Sequence, residues 1–300
     1  MKVAFIGLGT MGYPMAGHLS RAGFALSVFN RSPKKAKKWS AEFGVKAGES
    51  IADAVGDATV VIVCLGADED VRAVLCGKGG VFESMPASGV VIDHSTTSAE
   101  LAREMAVVAQ EYDQHFIDAP VSGGQAGAEK GCLTVMAGGD ADAFATVEPV
   151  LAAYAARYQR LGPVGSGQLA KMVNQICIAG LLQGLAEGVH FGEQAGLDMP
   201  AVIDVISGGA AQSWQMDNRA KTMLASEFDF GFAVDWMRKD LGYVLDEARK
   251  RQVSLPVTAL VDQFYTQVQN LGGGRCDTSS LLLALQNSMR DTRRGKISNE

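Results

Sequence analysis

The chain has 300 residues, enough for one large or two ordinary domains, and its 47% hydrophobic and 20% charged residues are ordinary for a globular protein. A net charge of −6 argues against nucleic acid as the main partner. The five cysteines are scattered without a C-x-x-C pair and the four histidines show no metal-ligand spacing, so we predict reduced thiols, no metal and a cytoplasmic location.

The chain starts with a short apolar strand, followed by a glycine turn, a helical pattern and a second apolar strand at 25–29. The turn has the sequence Gly7, Leu8, Gly9, Thr10, Met11 and Gly12. In this context a GxGxxG pattern indicates a dinucleotide site, with all six residues at the cofactor. Gly7 permits the tight turn, Gly9 lets backbone N–H groups approach a pyrophosphate, and Gly12 lets helix and strand pack closely. The alternative is a glycine turn without a ligand.

The first half of the chain alternates strand-like and helix-like segments. Further strands are predicted at 59–65, 89–93, 115–119 and 133–137, with a helix at 99–112. The continuous apolar character of the first of these runs is typical of a strand buried on both faces. Strands separated by helices indicate an α/β fold whose N-terminal part is a doubly wound parallel sheet of Rossmann type with right-handed crossovers.

The pattern changes at residues 161–167, LGPVGSG, beyond which helical periodicity dominates. We therefore predict a Rossmann domain at 1–163 and an all-α domain at 164–300 that begins with a long interdomain helix. The charge-free stretch 172–186 is too short for a membrane span, so we expect a buried helix and no membrane partner. The polar tail 287–300 is predicted to be a frayed terminus.

Glycines recur at every fourth position of the predicted long helix, at Gly180, Gly184, Gly188, Gly192 and Gly196. Each interior glycine costs a helix about 1 kcal/mol relative to alanine, so a stripe of them needs a compensating contact. We expect close approach of another helix, from the same chain or from a second subunit. Gly196 is better interpreted as the C-terminal cap.

The residues after the second strand, Asn30, Arg31 and Ser32, bear on the choice of cofactor. NAD-selective sites place an acidic residue near this point to bind the ribose 2′-hydroxyl, but no carboxylate occurs here before Glu42. Arg31 can hold a 2′-phosphate with its planar fork, and Ser32 can donate a further bond. We predict NADP rather than NAD; the alternative is that the lysines of 34–38 form only a solvated helix face.

A possible proton-transfer group lies near the start of the long helix. Lys171, Asn174 and Gln175 share one helix face because they are spaced i, i+3 and i+4, and their neighbours are apolar. Partial burial of a lysine favours its neutral form, which suits proton transfer near neutral pH. The alternative is a lysine that snorkels from a helix end.

Two further segments have the character of binding elements. Ser122, Gly123 and Gly124 follow a strand and expose backbone N–H groups beside a hydroxyl, an arrangement that can hold a carboxylate at the carboxyl edge of the sheet. The alternative is an ordinary glycine turn. Lys239 and Asp240, in an aromatic-rich helix, are either a salt-bridged surface pair or part of a pocket.

Together these motifs resemble the β-hydroxyacid dehydrogenase family over nearly the whole chain. The opening FIGLGTMGYPMA at 5–16 is similar to the family's long dinucleotide-binding signature, and DAPVSGG at 118–124 to its substrate-binding motif. Residues 165–174, G-x-G-x-x-x-K-x-x-N, resemble the catalytic motif, and KDLG at 239–242 the C-terminal one. The chain departs from many members in having Gln175 rather than a second asparagine, and in lacking a proline shortly after Ser95-Thr96.

The resemblance implies an enzyme that transfers hydride reversibly between NADP(H) and a small carboxylate-bearing hydroxyacid or semialdehyde. It implies a homodimer or homotetramer. It also implies that Lys171 is the general acid/base and that Asn174 assists at the substrate. The alternatives are an NAD-dependent 3-hydroxyisobutyrate-type dehydrogenase and a non-catalytic NADP-binding scaffold.

Further roles follow from the resemblance alone. Ser122, Gly123 and Gly124 are expected to anchor the substrate carboxylate. Lys239 is expected to contact substrate or cofactor. Leu65 and Thr96 occupy positions similar to family cofactor contacts at the ends of later strands. Imine reductases share this architecture but usually lack the catalytic lysine, so Lys171 argues against that activity.

Overall fold

The computed structural model describes residues 1–287, so most of the polar tail lies outside the described residues. The chain forms two compact units, the first comprising Met1–Lys171 and the second beginning at Met172. The first unit combines a sheet with helices, and the described part of the second is built of helices. The predicted domain limits of 1–163 and 164–300 stay a prediction.

Eight strands of the described chain form one sheet in the first unit. They are β1 (Lys2–Ile6), β2 (Ala25–Phe29), β3 (Val60–Val63), β4 (Val90–Asp93), β5 (His115–Asp118), β6 (Val121–Ser122), β7 (Leu133–Gly138) and β8 (Ala155–Gly162). The first five are parallel in the order β2-β1-β3-β4-β5, which confirms the predicted α/β class and parallel sheet. At the far end, β7 runs antiparallel to β5 and β6 and parallel to β8.

Helices occupy the connections between the strands, except the short link between β5 and β6. In the first unit they are α1 (Gly12–Arg21), α2 (Pro33–Phe43), α3 (Ile51–Val55), α4 (Asp68–Cys76), α5 (Val81–Ser84), α6 (Ala99–Glu111), α7 (Gly124–Lys130) and α8 (Ala141–Leu151). The long helix α9 (Ser166–Gln194) begins in this unit. The second unit continues with α10 (Met199–Ile206), α11 (Trp214–Leu224), α12 (Val234–Arg251), α13 (Pro256–Asn270) and a 3₁₀ helix (Thr278–Ser280), and residues 281–287 are helical.

Both faces of the parallel sheet are buried, each under its own core cluster. Successive side chains of a strand point to opposite sides, so neighbouring residues belong to different clusters. Phe5 and Ile62 belong to a core cluster on one face that includes Trp39. Their neighbours on the strands, such as Ile6, belong to a second cluster that includes Leu101 of α6. This two-sided burial explains why the strands are continuous apolar runs.

The strand order creates a switch point at β1. This strand pairs with β2 on one side and with β3 on the other, so the chain crosses over β1 between β2 and β3. In open α/β sheets, ligands bind at the carboxyl ends of the strands beside such a point. The predicted cofactor residues 7–12 and 30–32, together with Leu65, follow these three strands.

The glycine stripe of α9 has two parts. Gly196 has φ +74° just beyond the helix end, which confirms the predicted cap. A Cβ on Gly192 would overlap the sulfur of Met199, so α10 packs closely there. At Gly180, Gly184 and Gly188 no side chain from another described helix of the second unit lies within 4 Å of an added Cβ.

By length and composition alone α9 could also span a membrane, a test that a soluble core helix passes equally well.

Candidate active site

Of the three glycines in the turn between β1 and α1, Gly9 alone has open space where a side chain would lie. Gly7 has φ +101°, and its N–H donates to the Phe29 carbonyl at 2.9 Å. A Cβ on Gly7 would overlap the Cys64 carbonyl, and one on Gly12 would overlap the Gly7 carbonyl. At Gly9, by contrast, no described atom outside Gly9 and its two chain neighbours lies within 4 Å of an added Cβ. This bare backbone at the carboxyl edge of the sheet fits the pyrophosphate of a dinucleotide.

Asn30 ties this turn to the end of β2. Its Oδ1 accepts a hydrogen bond from the Leu8 N–H at 2.9 Å, and its Nδ2 donates to the Ser32 carbonyl at 3.2 Å. The Arg31 side chain is 93% exposed, and its guanidinium lies 3.5 Å from the carboxylate of Asp70 on α4. Asn30 therefore fixes the turn, whereas Arg31 presents a cation to solvent beside one acidic neighbour.

Ser95 connects the ends of β3 and β4. Its Oγ accepts from the Leu65 N–H at 2.8 Å, and its own N–H donates to Oδ1 of Asp93 at 2.8 Å. Thr96, the next residue, is half-buried. Burial raises the pKa of Asp93 to about 7, against the opposing effect of the Ser95 hydroxyl and N–H. The two predicted cofactor contacts, Leu65 and Thr96, thus belong to one hydrogen-bonded loop pair.

His94 is buried at the end of β4 and has a fixed tautomer. Nδ1 lies 2.5 Å from the Ala119 carbonyl, and Nε2 lies 2.8 Å from the Tyr154 hydroxyl. Because a carbonyl only accepts, Nδ1 carries the hydrogen and Nε2 accepts from the tyrosine. Burial lowers the pKa of His94 to about 4, so the ring is neutral at physiological pH.

Lys171 lies next to the predicted carboxylate-binding turn. The residue is 7% exposed, and its Nζ donates to the Val121 carbonyl at 2.8 Å. Val121 directly precedes Ser122, which is half-buried. The lysine therefore does not snorkel into solvent. Lys171 and the turn that begins at Ser122 both belong to the first unit, which brings them together.

The turn after β6 has the backbone of a binding loop. Gly123 has φ +126° and Gly124 has φ +60°, and both residues are exposed. A Cβ on Gly124 would meet no described atom within 4 Å beyond its chain neighbours and the backbone of its own helix. The backbone is consequently accessible beside the Ser122 hydroxyl.

The predicted residues Asn174 and Lys239 meet through a chain of hydrogen bonds within the second unit. Asn174 Nδ2 donates to Gln175 Oε1 at 2.7 Å, and Gln175 Nε2 donates to Asp240 Oδ2 at 2.6 Å. Lys239 Nζ lies 3.2 Å from the other carboxylate oxygen and faces the rings of Trp236 and Tyr243. Lys239 and Asp240 therefore form the predicted ion pair, but the Asp240 carboxylate is buried, with the residue 2% exposed, and not at the surface.

Two fully buried polar residues, Asp118 and Gln168, received no role from the sequence. Asp118 accepts from the backbone of residues at the start of α9, and Gln168 joins α9 to the loop after β4. Burial raises the pKa of Asp118 to about 7, while the backbone donors favour its ionised form. A carboxylate at the end of an apolar strand, and an amide one helical turn before Lys171, are the signals that could have indicated them.

Two family models together match nearly all of the described residues. Residues 2–162 match the NAD binding domain of 6-phosphogluconate dehydrogenase, and residues 165–285 match the NAD-binding domain of NADP-dependent 3-hydroxyisobutyrate dehydrogenase. Both models describe binding of a nicotinamide dinucleotide.

Individual relatives agree with these models. An uncharacterized oxidoreductase of Shewanella frigidimarina is 57% identical over 96% of this chain and 99% of its own length. The 2-hydroxy-3-oxopropionate reductase of Escherichia coli is 31% identical over 95% and 97%. The structure of Mycobacterium tuberculosis 3-hydroxyisobutyrate dehydrogenase with L-serine superimposes with a TM-score of 0.86 at 30% identity, over 95% of this chain and 98% of that one. The chain therefore belongs to the β-hydroxyacid dehydrogenase family of NAD(P)-binding oxidoreductases, which act on CH–OH groups.

Proposed function

We propose that this protein reversibly reduces a small semialdehyde or oxoacid bearing a carboxylate, with NADPH as cofactor and Lys171 as general acid/base. The observation that carries the proposal is the 2.8 Å hydrogen bond between Lys171 Nζ and the Val121 carbonyl. It holds a buried amine one residue before the turn Ser122–Gly124, which we propose binds the substrate carboxylate.

The proposed chemistry divides between cofactor and protein. A bound nicotinamide dinucleotide supplies the hydride in one direction and accepts it in the other. In reduction, Lys171 as ammonium donates a proton to the carbonyl oxygen as charge develops there; in oxidation, neutral Lys171 removes the hydroxyl proton. Ser122 and the backbone of Gly123 and Gly124 orient the substrate by its carboxylate, which fixes the position of the reacting carbon. Asn174 assists at the substrate.

Cofactor contacts are proposed for the residues at the ends of four strands. They are Gly7, Leu8, Gly9, Thr10, Met11, Gly12, Asn30, Arg31, Ser32, Leu65 and Thr96. Lys239 is proposed to contact cofactor or substrate. The exposed guanidinium of Arg31 supports NADP, because a planar fork can bind the 2′-phosphate with two charge-assisted bonds.

A second candidate, NAD-dependent oxidation of a hydroxyacid, is favoured by one observation. The Asp70 carboxylate lies 3.5 Å from Arg31, where it would compete for the guanidinium and repel a 2′-phosphate. Titration of the wild-type protein with NADPH and NADH decides between the two cofactors.

Replacement of Lys171 tests the catalytic assignment. Lys171→Met keeps the apolar stem and removes the amine, and we expect kcat to fall at least about a hundredfold, since general acid catalysis is typically worth about 10² to 10⁴. NADPH oxidation is followed with glyoxylate, succinic semialdehyde, tartronate semialdehyde and methylmalonate semialdehyde. The control is Lys221→Ala, at an exposed site on α11. A Lys171→Met enzyme within about threefold of wild type would contradict the assignment, and a wild-type protein inactive with every substrate would favour the scaffold alternative.

Replacement of Arg31 tests the cofactor assignment. We expect Arg31→Ala to raise the KM for NADPH by about 10- to 100-fold, the range expected for loss of charge-assisted hydrogen bonds, with a much smaller effect on the KM for NADH. Lys37→Ala, at an exposed site in α2, the helix that follows Arg31, is the matched control. An unchanged KM for NADPH would defeat the NADP proposal and leave NAD as the cofactor.

The proposal includes a homodimer or homotetramer in the cytoplasm, with no nucleic acid or membrane as partner. All five cysteines are free thiols, which supports a reducing compartment.

A further inference from the structure

The start of α9 is held by a carboxylate from another element. Asp118, the last residue of β5, is fully buried; its Oδ1 accepts from the Gly165 N–H at 2.8 Å and its Oδ2 from the Gln168 N–H at 2.9 Å. The first N–H groups of a helix have no partner within the helix, and a carboxylate both satisfies them and complements the helix dipole. Asp118 therefore fixes where α9 begins relative to the end of β5.

Close packing leaves this junction no room to slide. A Cβ on Gly167 would lie 2.5 Å from the carbonyl oxygens of Asp118 and Met136. A Cβ on Gly138 would lie 2.6 Å from Oδ1 of Asp118. The helix start thus rests directly on the backbone of β5 and β7, with glycines at the contacts.

Gln168 makes a second connection from the same helical turn. Its side chain is fully buried; Oε1 accepts from the Thr97 N–H at 3.1 Å, and Nε2 donates to the Ser95 carbonyl at 2.8 Å. Ser95 in turn accepts from the Leu65 N–H. One amide thus joins α9 to the loops that carry two of the proposed cofactor contacts, Leu65 and Thr96.

Lys171 lies three residues after Gln168, about one helical turn along α9. Its long side chain has much rotational freedom, so the position of Nζ depends on how firmly the helix beneath it is held. We propose that Asp118 and Gln168 are positioning residues, which together hold the first turn of α9 so that the Lys171 amine stays beside the Val121 carbonyl. The inference rests on the proposed role of Lys171 as general acid/base.

The first test replaces the carboxylate by its isosteric amide. Asp118→Asn leaves one acceptor and turns an NH₂ donor towards a backbone N–H, so we expect kcat to fall by about 10- to 100-fold, as for a small misplacement of a catalytic group. The NADPH dissociation constant should stay within about threefold, because that binding does not need the amine. The matched control is Asp140→Asn: Asp140 caps α8 through the N–H groups of Asp142 and Ala143, and its replacement should leave kcat unchanged. An Asp118→Asn enzyme with wild-type kcat overturns the inference.

A double-mutant cycle separates this inference from the proposed function. In the Lys171→Ala background, Asp118→Asn should change kcat by less than about twofold, because a residue that acts through Lys171 has nothing left to position. A full further loss in that background overturns the positioning role while the catalytic role of Lys171 stands. A Lys171→Ala enzyme with near wild-type kcat instead overturns the proposed function.

A second variant and a structural readout keep the test valid if Asp118→Asn does not fold. Gln168→Leu removes both side-chain bonds of the amide, and we expect the same loss in kcat and the same result in the double-mutant cycle. Crystals of the NADP complex of either variant should show Lys171 Nζ out of hydrogen-bond reach of the Val121 carbonyl. An amine still at the wild-type distance of 2.8 Å in the variants would overturn the inference.

Discussion

At the scale of single residues, three buried polar side chains lie at the ends of strands that precede proposed site residues. His94, Asp93 and Asp118 all lie at the carboxyl ends of β4 and β5, and each is at most 2% exposed. Each has its hydrogen-bonding groups occupied by neighbouring backbone or a hydroxyl. Removal of such a partner leaves a buried polar group unsatisfied, which typically costs about 1–3 kcal/mol. These residues are therefore expected to affect stability as well as chemistry.

His94 gives a stability prediction with a definite sign. Its pKa is lowered from 6.5 to about 4 in the folded state, so between these values the unfolded chain binds a proton that the folded chain does not. The free energy of unfolding that His94 contributes is therefore present above pH 6.5 and is lost as the pH falls towards 4, by up to about 3 kcal/mol. The raised pKa values of Asp93 and Asp118 act in the opposite direction over the same range, so only a difference between variants isolates the histidine.

The measurement is urea unfolding of wild type and His94→Asn at pH 7.5 and pH 5. Asparagine can still donate to the Ala119 carbonyl but does not titrate. We expect the advantage of wild type over the variant to be larger at pH 7.5 than at pH 5. An advantage that is equal at both pH values would refute a neutral buried ring.

Sequence patterns predicted residues whose neighbours along the chain carry the signal, and missed those defined only by contacts between distant segments. The glycine turn and Lys171 belong to local motifs with fixed spacing. Asp70 approaches Arg31 from 39 positions away, and Gln168 reaches Thr97 from 71 positions away. No periodicity or spacing encodes such contacts, so they became visible only in the folded chain.

At the scale of elements, apolar patterns and capping residues predicted many of the helices and strands well. β2 has the predicted limits, and α9 ends just before the glycine predicted as its cap. β8 was missed because its sequence, AARYQRLG, is polar and mostly exposed, as suits a strand that pairs only with β7. β6 has two residues, too few for a periodic signal.

The exposed apolar residues of α9 lead to a prediction about assembly. Val173, Leu181 and Phe191 are 60%, 47% and 73% exposed in the single chain. All three lie on α9, the helix that also carries the glycine stripe. Small residues let two helices approach closely, so we expect a second copy of the chain at this surface. Light scattering at micromolar concentration should find an oligomer, and Phe191→Glu should weaken it, whereas Val107→Glu on the exposed side of α6 should not. A monomeric wild-type protein would contradict the expectation.

At the scale of the whole molecule, the order of segment types predicted more than any single motif. Alternating strands and helices up to residue 162, followed by helices alone, indicated an α/β part and an all-α part, and the structure confirms both classes. The antiparallel placement of β7 was beyond the sequence, because strand direction depends on which neighbour a strand pairs with and not on its own pattern.

The hydrogen bonds of Asp118 and Gln168 also bear on the order in which the nascent protein can mature on the ribosome. The eight strands found among residues 1–287 end at Gly162, and the partners of both side chains lie no later than Gln168. N-terminal domains generally fold first during synthesis. The sheet can therefore form and anchor the first turn of α9 before most of the helical unit has been translated. Translation would then extend α9 from a preformed nucleus, which removes the unfavourable step of starting a helix in isolation.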